Sequence, residues 1–244
     1  MSYLLLFGVC FVASLIQGAT GFGFSVVSVP ILGLVYPVRT IVPAALLLMM
    51  TFTAQLAFRL RKHIRIKFIL APILAAFAGG VLGIFLLMSL PIGIFRTAWG
   101  SALIVFAVYF AFLKSKIRIA PTVRNGLIAG FFAGVLGGMF NSSGPPLVVY
   151  FFSCTEDNRE YSAAMQVSFA VSSFFNLIVH LIYGNITLAV VKLTGIGLAA
   201  VVPGGLLGLR ILSRLSRKHL AGAIYALLAA MGVVQIAMGI VGAG

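Results

Sequence analysis

The sequence predicts an all-α polytopic integral membrane protein built from two inverted repeats, each a re-entrant or broken helical hairpin followed by three transmembrane helices. Composition comes first: of 244 residues, 62% are hydrophobic and 8% charged, against about half and about a quarter in soluble globular domains. Ordered glycine motifs then recur in the two halves of the chain, and the basic loops change places between those halves.

A bilayer crossing takes about 20 apolar residues, so the chain has the length for roughly eight to ten passes. Full spans are expected at 40–58, 68–88 and 94–113, then at 161–182, 187–209 and 219–241. Residues 2–36 and 125–154 are too long for one span, and Gln17-Gly18-Ala19-Thr20-Gly21-Phe22-Gly23 and Gly137 to Pro146 interrupt them. Glycine and proline break helices there. Each segment is therefore expected to form two half-helices that enter and leave on one face. Non-helical backbone at membrane depth is tolerated only where it is buried in protein or lines a cavity. Met1 to about Phe24 has no cationic leader region and is expected to be retained structure, not a signal peptide.

The repeats are read at 1–120 and 121–244. Gly79-Gly80-Val81-Leu82-Gly83 matches Gly204-Gly205-Leu206-Leu207-Gly208 at an offset of 125, which Leu90 and Leu215 share. Upstream, Gly18-x-x-Gly21 with Pro30 matches Gly134-x-x-Gly137 with Pro146 at an offset of 116. The difference is assigned to a longer second-half loop, Cys154 to Glu160, which holds all the acidic residues, Glu156, Asp157 and Glu160. Duplicated halves of this kind are a transporter architecture.

Loop charge gives the orientation. The basic loop Arg59 to Lys67 precedes the Gly79-Gly80 helix, and the loop after that helix, around Pro91, is uncharged. In the second half the order reverses: the uncharged loop Tyr183 to Thr187 precedes Gly204-Gly205, and Arg210, Arg214, Arg217 and Lys218 follow it. If Lys and Arg mark the cytoplasm, equivalent helices run in opposite directions. The formal net charge of +14 is thereby assigned to topology and anionic lipid, not to nucleic acid. Arg96, Lys192 and Arg210 lie near expected helix ends, from which they can snorkel.

A helix that begins inside the membrane turns unpaired N–H groups and a positive dipole end toward the cavity, a site suited to an anion. Two such starts are expected, near Gly21, Gly23 and Ser25, and near Ser143, Gly144 and Pro145, with proline suited to a first turn. Gln17, Thr20, Ser25, Asn141, Ser142 and Ser143 add hydroxyl and amide donors beside Gly18. Ser168, Ser172, Asn176 and His180 recur every four residues and share one helix face. At the offset of 125, Thr51 pairs with Asn176 and Gln55 with His180, so both helices are expected to face the breaks. No carboxylate falls in an expected span, which disfavours a cation path and an acidic proton relay.

The paired Gly-x-x-Gly segments followed by proline, Gly18 to Pro30 and Gly134 to Pro146, together with the paired Gly-Gly-x-x-Gly helices, resemble the TauE/SafE sulfite exporter family, also called the 4-toluene sulfonate uptake permeases. The resemblance covers essentially the whole chain. It implies secondary transport of sulfite, a sulfonate or a related organic acid across a bacterial inner membrane, and an inside-negative potential makes export the easy direction for an anion. Phe22 and Phe24 stand where family members often carry further glycines, which implies a smaller or more apolar-edged pocket.

A channel-like anion permease is the alternative within transport. Enzymatic or electron-transfer chemistry is disfavoured: His63 and His219 lie in basic loops, Cys10 and Cys154 form no CxxC pair, and no metal, haem or other cofactor is expected. The expected partners are a small anion and membrane lipid, and a homo-oligomer is compatible with the sequence.

Overall fold

The computed structural model describes residues 2–20, 22–113, 119–155, 157–211 and 217–241. Among these the regular elements are all helical: α1 (Ser2–Thr20), α2 (Phe24–Leu32), α3 (Val38–Arg59), α4 (Ile66–Ser89), α5 (Ile92–Val108), α6 (Val123–Phe140), α7 (Gly144–Cys154), α8 (Asn158–Ile182), α9 (Leu188–Ile211) and α10 (Arg217–Val241). The segments Val38–Arg59, Ile66–Ser89, Val123–Phe140, Arg159–Ile182 and Leu188–Gly208 are long and apolar enough to cross a membrane. The six expected spans fall on α3, α4, α5, α8, α9 and α10. The third is made of α5 and the π-helical turn Tyr109–Leu113 that continues it.

Both expected breaks are present, but the hairpins are not pairs of equal half-helices. α1 has 19 residues and α2 has 9; α6 has 18 and α7 has 11. At 1.5 Å per residue the first members are roughly 27–28 Å long and the second about 14–17 Å. Left-handed residues place the breaks. Gly23, at φ 115°, precedes α2, and Asn141, at φ 53°, ends α6. Glycine adopts that backbone freely and asparagine tolerates it. The Asn141 and Ser142 N–H groups both turn back to the Leu136 carbonyl, closing the last turn of α6.

Glycines set the helix packing. Along α4 and α6, Pro72 faces Gly130, Ala76 faces Gly134 and Gly80 faces Gly138, so these helices run parallel with their backbones in contact. α9 lies parallel to α1 in the same manner, Gly204 on Phe11 and Gly208 on Leu15. α5 and α10 run antiparallel, Gly93 meeting Gly239 and Gly100 meeting Gly232. Such contacts gain dispersion energy that bulkier residues would prevent. Phe131 and Val135 likewise receive Gly79 and Gly83, as Phe11 and Leu15 receive Gly204 and Gly208.

The short α2 is tied at its far end. The Gln235 amide donates to the Pro30 carbonyl at 2.9 Å, and the Arg96 guanidinium to the Gly33 carbonyl at 3.2 Å. Arg96, near the start of α5, thus meets the negative end of α2. Elsewhere, Arg65 and Glu160 form a 2.6 Å ion pair between the α3–α4 turn and the start of α8. The two loops therefore share a face.

Candidate functional site

The two breaks touch. Asn141 Nδ2 donates to Ser25 Oγ at 2.9 Å, and Ser25 Oγ lies 3.6 Å from the Met49 sulfur of α3. The Phe22 side chain packs about one contact distance, 3.3 Å, from where a Cβ on Gly144 would sit, so the first residue of α7 lies against the first break. Ser25, Asn141, Ser142 and Ser143 are all buried.

Donors outnumber acceptors at these two helix starts. Gln17 Oε1 accepts the Phe24 N–H at 2.8 Å, which pins the carboxamide to the N-terminus of α2. Its Nε2 is buried with no partner, and so is Ser142 Oγ beside the start of α7. A buried polar group left unpaired costs about 1–3 kcal/mol, so such groups are rare in native structures. An amide NH2 and a hydroxyl without acceptors, each at a helix N-terminus, can hold an oxyanion. Among the described residues, the buried polar side chains include no Asp, Glu, Lys or Arg. Any charge stabilisation there comes from neutral donors and helix ends.

α8 supplies a third wall. The Asn176 carboxamide occupies the space where a Cβ on Gly80 of α4 would stand and also borders Gly137 of α6. Ser143 Oγ lies against the same position of Gly137, so Asn176 and Ser143 meet beside one glycine. One turn earlier, Ser172 Oγ is buried and unpartnered.

Other expected site residues fall differently. Thr51 is exposed and its hydroxyl returns to the Leu47 carbonyl at 3.1 Å; with Ala54 and Phe58 it forms the outward stripe of α3, while Thr53 points inward. His180 is buried, but Asn185 Nδ2 lies 2.9 Å from its Nδ1, and the Asn185 N–H bonds its carbonyl. That ring therefore fastens the end of α8 to the following turn. Gly18 is buried within α1. Gly21 and the side chains of Thr20 and Gln55 lie outside the described residues.

Sequence reasoning missed Met49, Phe22 as packing for Gly144, and Trp99, whose ring stacks on Phe140 at 4.1 Å directly before Asn141. Only the Gly79-Gly80 pair carried a usable signal, since one glycine serves the helix contact and the other admits Asn176. No group of His, Cys, Asp and Glu among the described residues could hold a metal ion. An outward groove of about 540 Å³ between α1 and α2, lined by Leu4, Val12, Val27 and Ile31 among others, carries no donor side chain and is unsuited to an anion.

These features define a polytopic helical membrane protein in which two broken hairpins meet at a buried, neutral, donor-rich centre. The model of the Sulfite exporter TauE/SafE family matches residues 6–234, and the chain belongs to that family. It is a family of transporters, not a class of enzyme. Among curated proteins, the chain is 27% identical over 202 residues, covering 80% of this chain and 78% of the relative, to the "Probable sulfite/organosulfonate exporter TauE" of Cupriavidus necator. No solved structure matches the chain.

Proposed function

We propose that this protein is a secondary transporter exporting sulfite, an organosulfonate or a related small organic acid across a bacterial inner membrane. The anion is held between the two hairpin breaks by Gln17, Ser25, Asn141, Ser142 and Ser143, with Asn176 and Ser172 behind them. The observation that carries this reading is the pair of unpartnered donors, Gln17 Nε2 and Ser142 Oγ, at the starts of two helices whose breaks are joined by Asn141 and Ser25. Donors without acceptors suit a ligand that only accepts.

Two inverted repeats of five helices fit the same reading. Each half sets its Gly-Gly helix parallel to the first helix of the other half, and α5 meets α10 antiparallel. Following the short connections, α1, α3 and α5 run opposite to α6, α8 and α10, as inversion requires. The ion pair of Arg65 with Glu160 puts the loops containing Lys62 and Asp157 on one face, which the positive-inside rule makes cytoplasmic.

Flux into proteoliposomes, measured over a panel of sulfur oxyanions, sulfonates and carboxylates, tests the proposal. Saturable flux of sulfite or a sulfonate, abolished by Asn141→Leu or Ser143→Leu, is the expected result. Flux that never saturates would favour the channel-like permease, and full activity in both variants would move the site elsewhere.

A further inference from the structure

α8 carries two buried hydroxyls that depart from the usual helical pattern, as Ser28 Oγ in α2 also does. In a helix, serine and threonine ordinarily satisfy themselves on the carbonyl one turn back. Thr51, Thr53, Thr97, Ser153 and Thr194 all do so, at 2.9–3.1 Å. Ser168 and Ser172 do not, although the carbonyls of Ala164 and Ser168 stand at the same spacing. Their Oγ atoms are buried without partners, in residues 1% and 5% exposed.

Their position relates them to the breaks. Residues four apart on a helix share a face, so Ser172 and Ser168 lie one and two turns from Asn176, about 6 and 12 Å along the axis. Asn176 itself borders Gly137 beside Ser143. Beyond Asn176 the stripe ends at His180, whose Nδ1 is occupied by Asn185. In the other direction it runs toward the end of α8 where Glu160 pairs with Arg65. The stripe is filled at one end and carries free hydroxyls at the other.

We infer that the anion site extends along α8 as a second subsite, in which Ser172 and Ser168 donate to the oxyanion between the breaks and the Arg65–Glu160 face. This rests on the proposed function and adds a residue, Ser168, and a direction to it. The ligand class is an oxyanion able to accept from neutral hydroxyls, such as sulfite or the sulfonate head of an organic acid.

Alanine substitution separates this role from a structural one. Removing a buried hydroxyl that has no partner leaves stability unchanged or raises it, because an unpaired polar group is lost. Sulfite flux and thermal midpoint are to be measured in proteoliposomes for Ser168→Ala and Ser172→Ala, with Ser142→Ala in parallel. The expected result is kcat/KM for sulfite lowered about tenfold in each variant, with no fall in thermal midpoint. Wild-type flux in Ser168→Ala and Ser172→Ala, or a loss that follows a fall in midpoint, overturns the subsite. If Ser142→Ala loses flux while those two keep it, the site at the breaks stands and its extension does not. If all three keep wild-type flux, the extension is overturned and so is the placement of the site at Ser142, while sulfite transport itself stands.

Discussion

Asn141 of the second break donates to Ser25 of the first across 2.9 Å, although 116 residues separate them in the chain. The bond joins the two hairpins at their irregular backbone, where neither helix can supply a partner. Ser25→Ala leaves Asn141 Nδ2 without its acceptor, a buried loss of about 1–3 kcal/mol. The thermal midpoint of Ser25→Ala should fall. The double variant Ser25→Ala/Asn141→Leu should cost clearly less than the sum of the single changes; strict additivity would show that the bond does not couple the breaks.

Gly80 and Asn176 form a steric pair. A methyl group at residue 80 overlaps the Asn176 carboxamide, and overpacking of this kind costs typically 1–3 kcal/mol. Gly80→Ala should express poorly or melt early. Adding Asn176→Ala should restore folding but not sulfite flux, because the space returns while the amide does not. Flux restored together with folding would assign Asn176 to packing alone.

Side-specific labelling reads the topology. In a background lacking Cys10 and Cys154, cysteines at 62 and 157 should react only from the cytoplasm, and cysteines at 91 and 185 from outside. Labelling of 62 in intact cells, with 185 protected, would reverse the assigned orientation, and 62 and 185 reacting from one face would overturn the inverted arrangement.

The Arg65–Glu160 pair is largely solvent-facing on the arginine side, with Arg65 62% exposed. Exposed pairs contribute about 0–1 kcal/mol. Neutralising Glu156, Asp157 and Glu160 together should leave most flux intact. With no acid among the described buried residues, an inside-negative potential of about 100 mV, worth about 2.3 kcal/mol per charge, should accelerate efflux. Flux lost in a folded triple variant would give the acids a transport role, and indifference to voltage would leave electroneutral exchange, with His180→Gln as the next variant.

Helices and breaks were legible because hydropathy and glycine-proline punctuation act locally. The position of the second break could be read from Asn141 to Pro145, where a left-handed residue and helix-starting prolines sit together. The pairing of helices could not: glycines recur every four residues at 126, 130, 134 and 138, and only backbone contact shows that Pro72, Ala76 and Gly80 meet the last three of them. Rotation of α3 was hidden for a related reason: Thr51 and Thr53 are both polar residues in an apolar helix, and only packing decides which faces inward. The pairing of His180 with Asn185 depends on a turn geometry that spacing does not reveal.

The central claim is that an anion binds where the two breaks meet, and Ser142→Ala tests it most directly, since that hydroxyl is buried, unpartnered and beside the start of α7. Calorimetric titration of the purified protein with sulfite, before and after the substitution, gives the affinity alongside the thermal midpoint. Loss of a hydrogen bond to a charged ligand is worth about 1.5–3 kcal/mol. The expected result is sulfite bound more than about tenfold more weakly with the midpoint undiminished; an unchanged affinity in the folded variant would contradict it.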